Sequence, residues 1–318
     1  MSNVSKLLSA QTGDQCLIFY DKYSIDSLFG ACILKYMCEN ITDISDYVLM
    51  LDVSRENEVY ANTYKYVSYI GCRPGIEYCK NIIPTKLLCV TYDKDIYQYV
   101  RKNIKGMNVE YTDSECDSLH LWKVAFGEIR KFDILDMINA GCMHDFESDA
   151  YEQYLRLNTG YFAEHGIPDA DQLYEELLYK VCCEDTEQDD IKAVFNNFIT
   201  AGEVILNESI ESLSMGLKTI KNKVYSIDRN KYSANVVFSA GELGNNFHDG
   251  RFDDVDFVLN IYRTGNYWCM DMYRMNDKIK FNCGEYLKKY YKGHGTESHG
   301  YLKLSEKVFN KLMTTESL

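Results

Sequence analysis

The sequence predicts an α/β protein: a doubly wound parallel sheet, a long helical connector, and a second, smaller α+β domain. Three observations carry this. Apolar runs of strand length alternate with helical patterns through the first half, the mark of parallel strands joined by crossovers. Residues 189–223 keep an apolar stripe at helical spacing over their whole length. After Tyr225 the pattern changes to the alternation of antiparallel neighbours. The expected boundaries are residues 14–185 for the sheet domain, 186–225 for the connector and 226–318 for the second domain.

The first strand is Cys16-Leu17-Ile18-Phe19-Tyr20, which runs into Asp21. A helix follows over residues 25–38, with Ile25, Leu28, Phe29, Cys32, Ile33 and Tyr36 on one face. The second strand, Tyr47 to Leu51, runs into Asp52, and residues 56–70 repeat Val59, Tyr60, Tyr64 and Val67 at helical spacing. The third strand, Lys86 to Tyr92, runs into Asp93-Lys94-Asp95 and a helix from Ile96 to Ile104. Met107 to Tyr111 is a candidate fourth strand, and helical patterns continue over residues 118–129, 132–140, 150–158 and 171–183. Gly202 and Gly216 weaken the case for one unbroken helix in the connector. In the second domain, residues 234–238, 255–262 and 267–273 read as strands. The last two are joined by the turn Arg263-Thr264-Gly265-Asn266. Residues 283–291 read as a helix, followed by a Gly/His loop from Lys292 to Gly300.

Composition narrows the function classes. A net charge of −14 excludes a broad footprint on duplex nucleic acid, while leaving room for a small anion held by local cations. The hydrophobic share of 46% is ample for a core, and no apolar run reaches bilayer length. The twelve cysteines contain no CxxC and several lie inside apolar elements. They read as buried free thiols of a reducing, cytoplasmic compartment rather than disulfides or a zinc site. The 27 tyrosines, with plentiful Asn and Lys, suit an AT-rich viral or microbial genome.

Parallel sheets collect ligands at their strand C-termini, so acids from several strand ends can meet in a hard-metal site. For any one of these residues the local reading is a helix N-cap, and Asp52, Asp93 and Asp95 all stand where caps stand. Taken together in order, the motifs resemble the DHH phosphoesterase family with its C-terminal DHHA1 domain. Asp21-Lys22-Tyr23-Ser24-Ile25-Asp26-Ser27 is similar to the family's first motif, Leu49-Met50-Leu51-Asp52 to its second, Asp93-Lys94-Asp95 to its Asp-His-His signature, and His144-Asp145-Phe146 to its acidic fourth. Asp117-Ser118-Leu119-His120 resembles the segment where the family has a Ser before a helix. Arg274 stands where the family has a strand arginine, and Gly293 to Tyr301 resembles its Gly-Gly-His loop, with His294 or Gly295 in the histidine's place.

The resemblance implies a two-metal centre of Mn²⁺ or Mg²⁺ that activates water against a phosphodiester. It carries the metal-ligand role to Asp21, Asp26, Asp52, Asp93 and Asp145, and the catalytic role to Asp93 and Asp95. Substrate binding falls to Arg274, Gly293, His294, Gly295 and His299. Every imidazole of the metal site is replaced: Asp21 stands for a histidine, and Lys94 and Asp95 stand for the signature pair. Lys94 is the expected substitute counter-charge for the clustered acids. Two readings follow. In the first, the two-metal chemistry is gone, no metal is needed, and the protein binds a nucleotide or serves as an interaction or structural subunit, as a homodimer or with a protein partner. In the second, a Mn²⁺- or Mg²⁺-dependent phosphodiesterase acts on short oligonucleotides or on cyclic or linear dinucleotides. Both expect a small nucleotide or short oligonucleotide as ligand, and neither expects a membrane.

Overall fold

The computed structural model describes residues 15–41, 48–83, 86–127, 132–146, 148–165, 170–183, 188–217, 223–227, 229–238, 252, 254–264, 267–315 and 318. The chain divides into two compact units, residues 1–143 with 162–197, and residues 144–161 with 198–318.

The first unit holds five parallel strands: β1 (Cys16–Tyr20), β2 (Val48–Asp52), β3 (Tyr66–Ile70), β4 (Leu87–Thr91) and β5 (Asn108–Tyr111). Their order is β2-β1-β3-β4-β5, so the winding reverses between β1 and β3. β1 and β4 are buried along their whole length, as a sheet covered on both faces requires. On one face Leu17, Phe19, Val67, Tyr69, Leu87 and Cys89 pack on Ile96, Val100 and Ile104. Each large side chain fully buried this way contributes about 1.5–3 kcal/mol.

Helix α1 (Ile25–Tyr36) follows β1 and is capped by Ser24, whose hydroxyl accepts from the Ser27 amide. Helix α2 (Lys94–Asn103) follows β4. It buries Ile96 and Val100, one turn apart, and carries Arg101 and Lys102 at its C-terminal end, where the helix dipole favours cations. Helices α3 (Asp117–Phe126) and α4 (Asp133–Cys142) follow β5.

One expectation is corrected here. Residues 56–70 do not form one helix. A single α-helical turn at Arg55–Glu58 and a 3-10 helix at Val59–Thr63 bear out the first half, and the second half is β3, which pairs with both β1 and β4. Tyr66-Val67-Ser68-Tyr69-Ile70 is rich in β-branched and aromatic residues, and burial in the sheet decides against the helical spacing.

Two further helices are α5 (Asp149–His165) and the long α6, unbroken from Gln188 to Leu217. Gly202 of α6 is required by packing: a Cβ there would stand 1.8 Å from the Arg156 carbonyl oxygen. A Cβ on Gly160 of α5 would stand 1.8 Å from the Phe198 carbonyl oxygen, so the two backbones meet at paired glycines.

The second unit holds a mixed sheet of β6 (Lys223–Ile227), β7 (Asn230–Phe238), β8 (Phe257–Thr264), β9 (Tyr267–Arg274), β10 (His294–Gly295) and β11 (His299–Leu304). The order is β10-β11-β9-β8-β7-β6, with only β7 and β8 parallel. β8 and β9 form the expected hairpin, with Gly265 and Asn266 of its turn outside the described residues. Cys283 and Leu287 of α7 (Cys283–Tyr291) and Leu312 of α8 (Glu306–Thr315) join the core on this sheet. The Gly/His loop is corrected to a tight antiparallel pair, β10 and β11, because its residues complete the sheet edge beside β9.

Gly202→Ala is predicted to destabilise the protein by about 1–3 kcal/mol or more through overpacking. Urea unfolding checks this, and an unchanged midpoint would contradict the close approach of α5 and α6.

Candidate functional site

In an open parallel sheet the ligand crevice lies outside the strand C-termini where the winding reverses. Here that point is the end of β1 and β3, and the residues gathered there are mostly polar. Beyond β1, the Asp21 amide donates to the Ser27 hydroxyl at 2.8 Å, and the Asp21 carboxylate accepts from the Tyr23 amide at 3.0 Å. The Ser27 hydroxyl in turn donates to the Ile70 carbonyl at the end of β3. Gly71 follows at φ +59°, and a Cβ there would lie 3.0 Å from Asp117 Oδ2. Glycine thus serves both the left-handed turn and the close approach of a carboxylate.

Asp26 is 1% exposed. Its Oδ1 accepts from the Ser118 amide at 2.8 Å and its Oδ2 from the Asp117 amide at 3.1 Å. The carboxylate therefore caps α3 from α1, where the helix dipole favours negative charge. Burial nonetheless raises the Asp26 pKa, against the lowering effect of these hydrogen bonds. Asp117 is wholly buried beside it, and no hydrogen bond of good geometry reaches either carboxylate oxygen. Burial first and the Asp26 charge second raise its pKa well above the usual range, with the Tyr92 backbone giving weak relief. Two such carboxyls cannot both ionise readily, so the pair favours a bound proton or a bound cation.

Two thiols complete this group. The Sγ atoms of Cys116 and Cys142 and one Asp26 carboxylate oxygen all lie within 4.8 Å of one another. The Cys116 amide is fixed by the Asn139 side chain at 2.8 Å, which ties the start of α3 to α4. The Tyr92 side chain, just past β4, stands beside the Cys142 thiol.

The remaining sequence-predicted acids are held elsewhere. Asp52 ends the edge strand β2; its Oδ1 accepts from Asn57 Nδ2 at 2.7 Å, and its Oδ2 pairs with Lys22 Nζ at 3.2 Å. Asp93 is the N-cap of α2, accepting from the amides of Asp95 at 2.7 Å and Ile96 at 3.3 Å. Asp95 is exposed on the first turn of that helix, and Asp145 is an exposed residue of the second unit. Lys94 is not the counter-charge that the sequence suggested. It is exposed and forms no ion pair among the described residues, because α2 turns Ile96 and Val100 inward and leaves Lys94 on its polar side. Lys22 fills that role: the hydrogen bond to Asp52, then the charges of Asp52 and Asp21, raise its pKa. With side chains 30% and 24% exposed, the Lys22–Asp52 pair contributes only about 0–1 kcal/mol.

In the second unit Arg274 is turned inward. Its Nη1 donates to the Phe281 carbonyl at 2.8 Å and to Glu297 Oε1 at 2.9 Å. Gly293 and Gly295 pack closely: a Cβ on Gly293 would lie 2.5 Å from the Tyr301 carbonyl oxygen, and one on Gly284 would lie 2.2 Å from that of Gly295. His294 lies on exposed β10 with its ring 4.3 Å from that of His144. His299 is buried, stacked on Tyr273 at 4.2 Å, with Nε2 3.7 Å from Asp271 Oδ1. Asp271 has no counterpart in the sequence reading, since an acid inside an apolar strand carries no motif. Burial pushes its pKa up to about 8, against hydrogen bonds from Asn260, Tyr262 and Tyr273.

No known family model matches the sequence, and no curated protein does. Among solved structures the chain is similar to RecJ in complex with Mn²⁺ from Thermus thermophilus, at 11% identity and TM-score 0.46, over 98% of this chain and 53% of that one. It is similar to the pGpG-specific phosphodiesterase PggH from Vibrio cholerae, at 11% identity and TM-score 0.39, over 96% and 97%. A third is an exopolyphosphatase-related protein from Bacteroides fragilis, at 9% identity and TM-score 0.41, over 98% and 96%. All three have DHH-family folds, the family that the motifs resemble. With every TM-score below 0.5, the likeness is one of general arrangement and says nothing of activity.

A carboxyl whose folded pKa is raised keeps a proton that the unfolded chain releases. The contribution of Asp271 to stability is therefore full below about pH 4 and falls as the pH rises towards about 8. Its slope is at most about 1.4 kcal/mol per pH unit. Asp271→Asn, which keeps the shape of the neutral acid, is predicted to flatten the fall in unfolding midpoint between pH 5 and pH 8. An equally steep fall in the variant would assign the dependence to other groups.

Proposed function

We propose that this protein keeps a DHH-like scaffold without the two-metal phosphodiesterase chemistry, and acts as a nucleotide-binding or interaction protein. The observation that carries this reading is that, among the described residues, the one group of metal-ligating side chains with ligand atoms within 4.8 Å of one another joins Asp26 to two cysteines, not to Asp21, Asp52 or Asp93. Asp52 is neutralised by Lys22 and bonded by Asn57, and Asp93 caps its own helix. Two adjacent hard cations need several oxygen donors free to converge, so this donor set does not fit such a pair. No catalytic step is therefore derived through Mn²⁺ or Mg²⁺.

The ligand on this reading is a small nucleotide or a short oligonucleotide. The overall charge of −14 disfavours a long polyanion, while a short one can be held by a few local donors. The described residues include no helix long and apolar enough to cross a membrane. A rival reading, a Mn²⁺- or Mg²⁺-dependent phosphodiesterase acting on short oligonucleotides or dinucleotides, draws support from the buried carboxylate of Asp117 beside Gly71.

The purified protein, supplied with Mn²⁺ or Mg²⁺ and a linear dinucleotide, is predicted to show no cleavage above an Asp52→Ala control. Calorimetry with linear and cyclic dinucleotides is predicted to give saturable binding. Metal-dependent turnover abolished by Asp52→Ala would establish the rival, and flat titrations would leave only the interaction role.

A further inference from the structure

The first unit contains a cluster whose chemistry is unlike that of a hard-metal centre. Asp26, Cys116 and Cys142 bring one carboxylate oxygen and two thiol sulfurs within 4.8 Å of one another. All three ligand groups are buried, and Cys142 as a whole residue is only partly exposed. In a tetrahedral zinc site, Zn–S bonds of about 2.3 Å set the sulfurs roughly 3.8 Å apart, so the three donors need to close by about an ångström or less. Asp26 can ligate without breaking its bonds to α3, because each carboxylate oxygen has a second lone pair. A second carboxylate stands next in the chain: Asp117 is wholly buried, its charge acts on that of Asp26, and no hydrogen bond of good geometry reaches either of its oxygens.

We propose that Asp26, Cys116 and Cys142 form a site for one thiophilic divalent cation of the zinc class, with the buried Asp117 carboxylate as a neighbouring negative charge. Two thiolates select a borderline-soft metal over Mg²⁺ or Mn²⁺. The cation compensates the two buried carboxylates that otherwise stand side by side. It also clamps the start of α1, the start of α3 and the end of α4 at the reversal point of the sheet. It is independent of the nucleotide-binding proposal and stands or falls without it.

Co²⁺ is the probe. Added to the chelator-treated full-length protein, it is predicted to give thiolate charge-transfer absorption and tetrahedral d–d bands at one equivalent, and Zn²⁺ is predicted to displace both. The double variant Cys116→Ser/Cys142→Ser is predicted to lose these bands, and Cys38→Ser to keep them. Asp117→Asn is predicted to weaken Co²⁺ binding by about 10-fold or more. If the cysteine variant fails to fold, the wild-type spectrum and the Asp117→Asn affinity decide alone. An octahedral spectrum without charge transfer, bands lost equally in Cys38→Ser, or unchanged affinity in Asp117→Asn would overturn the site as assigned.

Discussion

The bond from the Asp26 carboxylate to the first amides of α3 is the constraint on which the sheet domain's functional end depends. It is a charge-assisted cap made across more than ninety residues of sequence. It joins the start of α1 to the start of α3 beside the reversal point of the sheet. Because it fixes the Asp117 backbone, it also fixes the Asp117 side chain in a dry position against Gly71. The buried acid pair, the adjacent thiols and the left-handed glycine all follow from that one junction.

The other acids show the same economy on a local scale. Asp93 caps α2, Asp52 is bonded by Asn57 and Lys22, and Asp21 closes a turn with Tyr23. Each is an answer to a nearby unsatisfied donor, and donors at helix starts are always in surplus. A two-metal centre instead needs several carboxylates to converge on one point. In the second unit the Arg274 guanidinium likewise bonds its own chain, to Phe281 and Glu297.

The scaffold is largely legible in the sequence because it rests on short-range pattern. The strand–Asp–helix repeats fix β1, β2 and β4, and the hairpin of β8 and β9 follows from its alternation. β3 is not legible, since the helical stripe that Val59 and Tyr60 truly belong to continues in pattern through Tyr64 and Val67, while the sheet claims Tyr66 to Ile70. At the site, the N-cap reading of Asp93 comes from local chemistry and agrees with the structure. Lys94 and Lys22 both neighbour strand-end acids in sequence, and only the direction of the side chain separates them. The convergence of Cys116 and Cys142 is beyond reach. The lack of a CxxC excludes one local arrangement and is silent about residues on different helices. Gly202 gives a true signal with the wrong meaning: it marks a close approach of backbones, not a break in the helix.

On the function proposed above, the acids at the strand ends are engaged by the protein and hold no pair of hard cations. Equilibrium binding of Mn²⁺ to the purified protein, followed by electron paramagnetic resonance, tests it most directly. Only weak, uncoupled Mn²⁺ signals, unchanged in Asp52→Ala, are expected. Two tightly bound, magnetically coupled Mn²⁺ ions per chain, lost in Asp52→Ala, would contradict it.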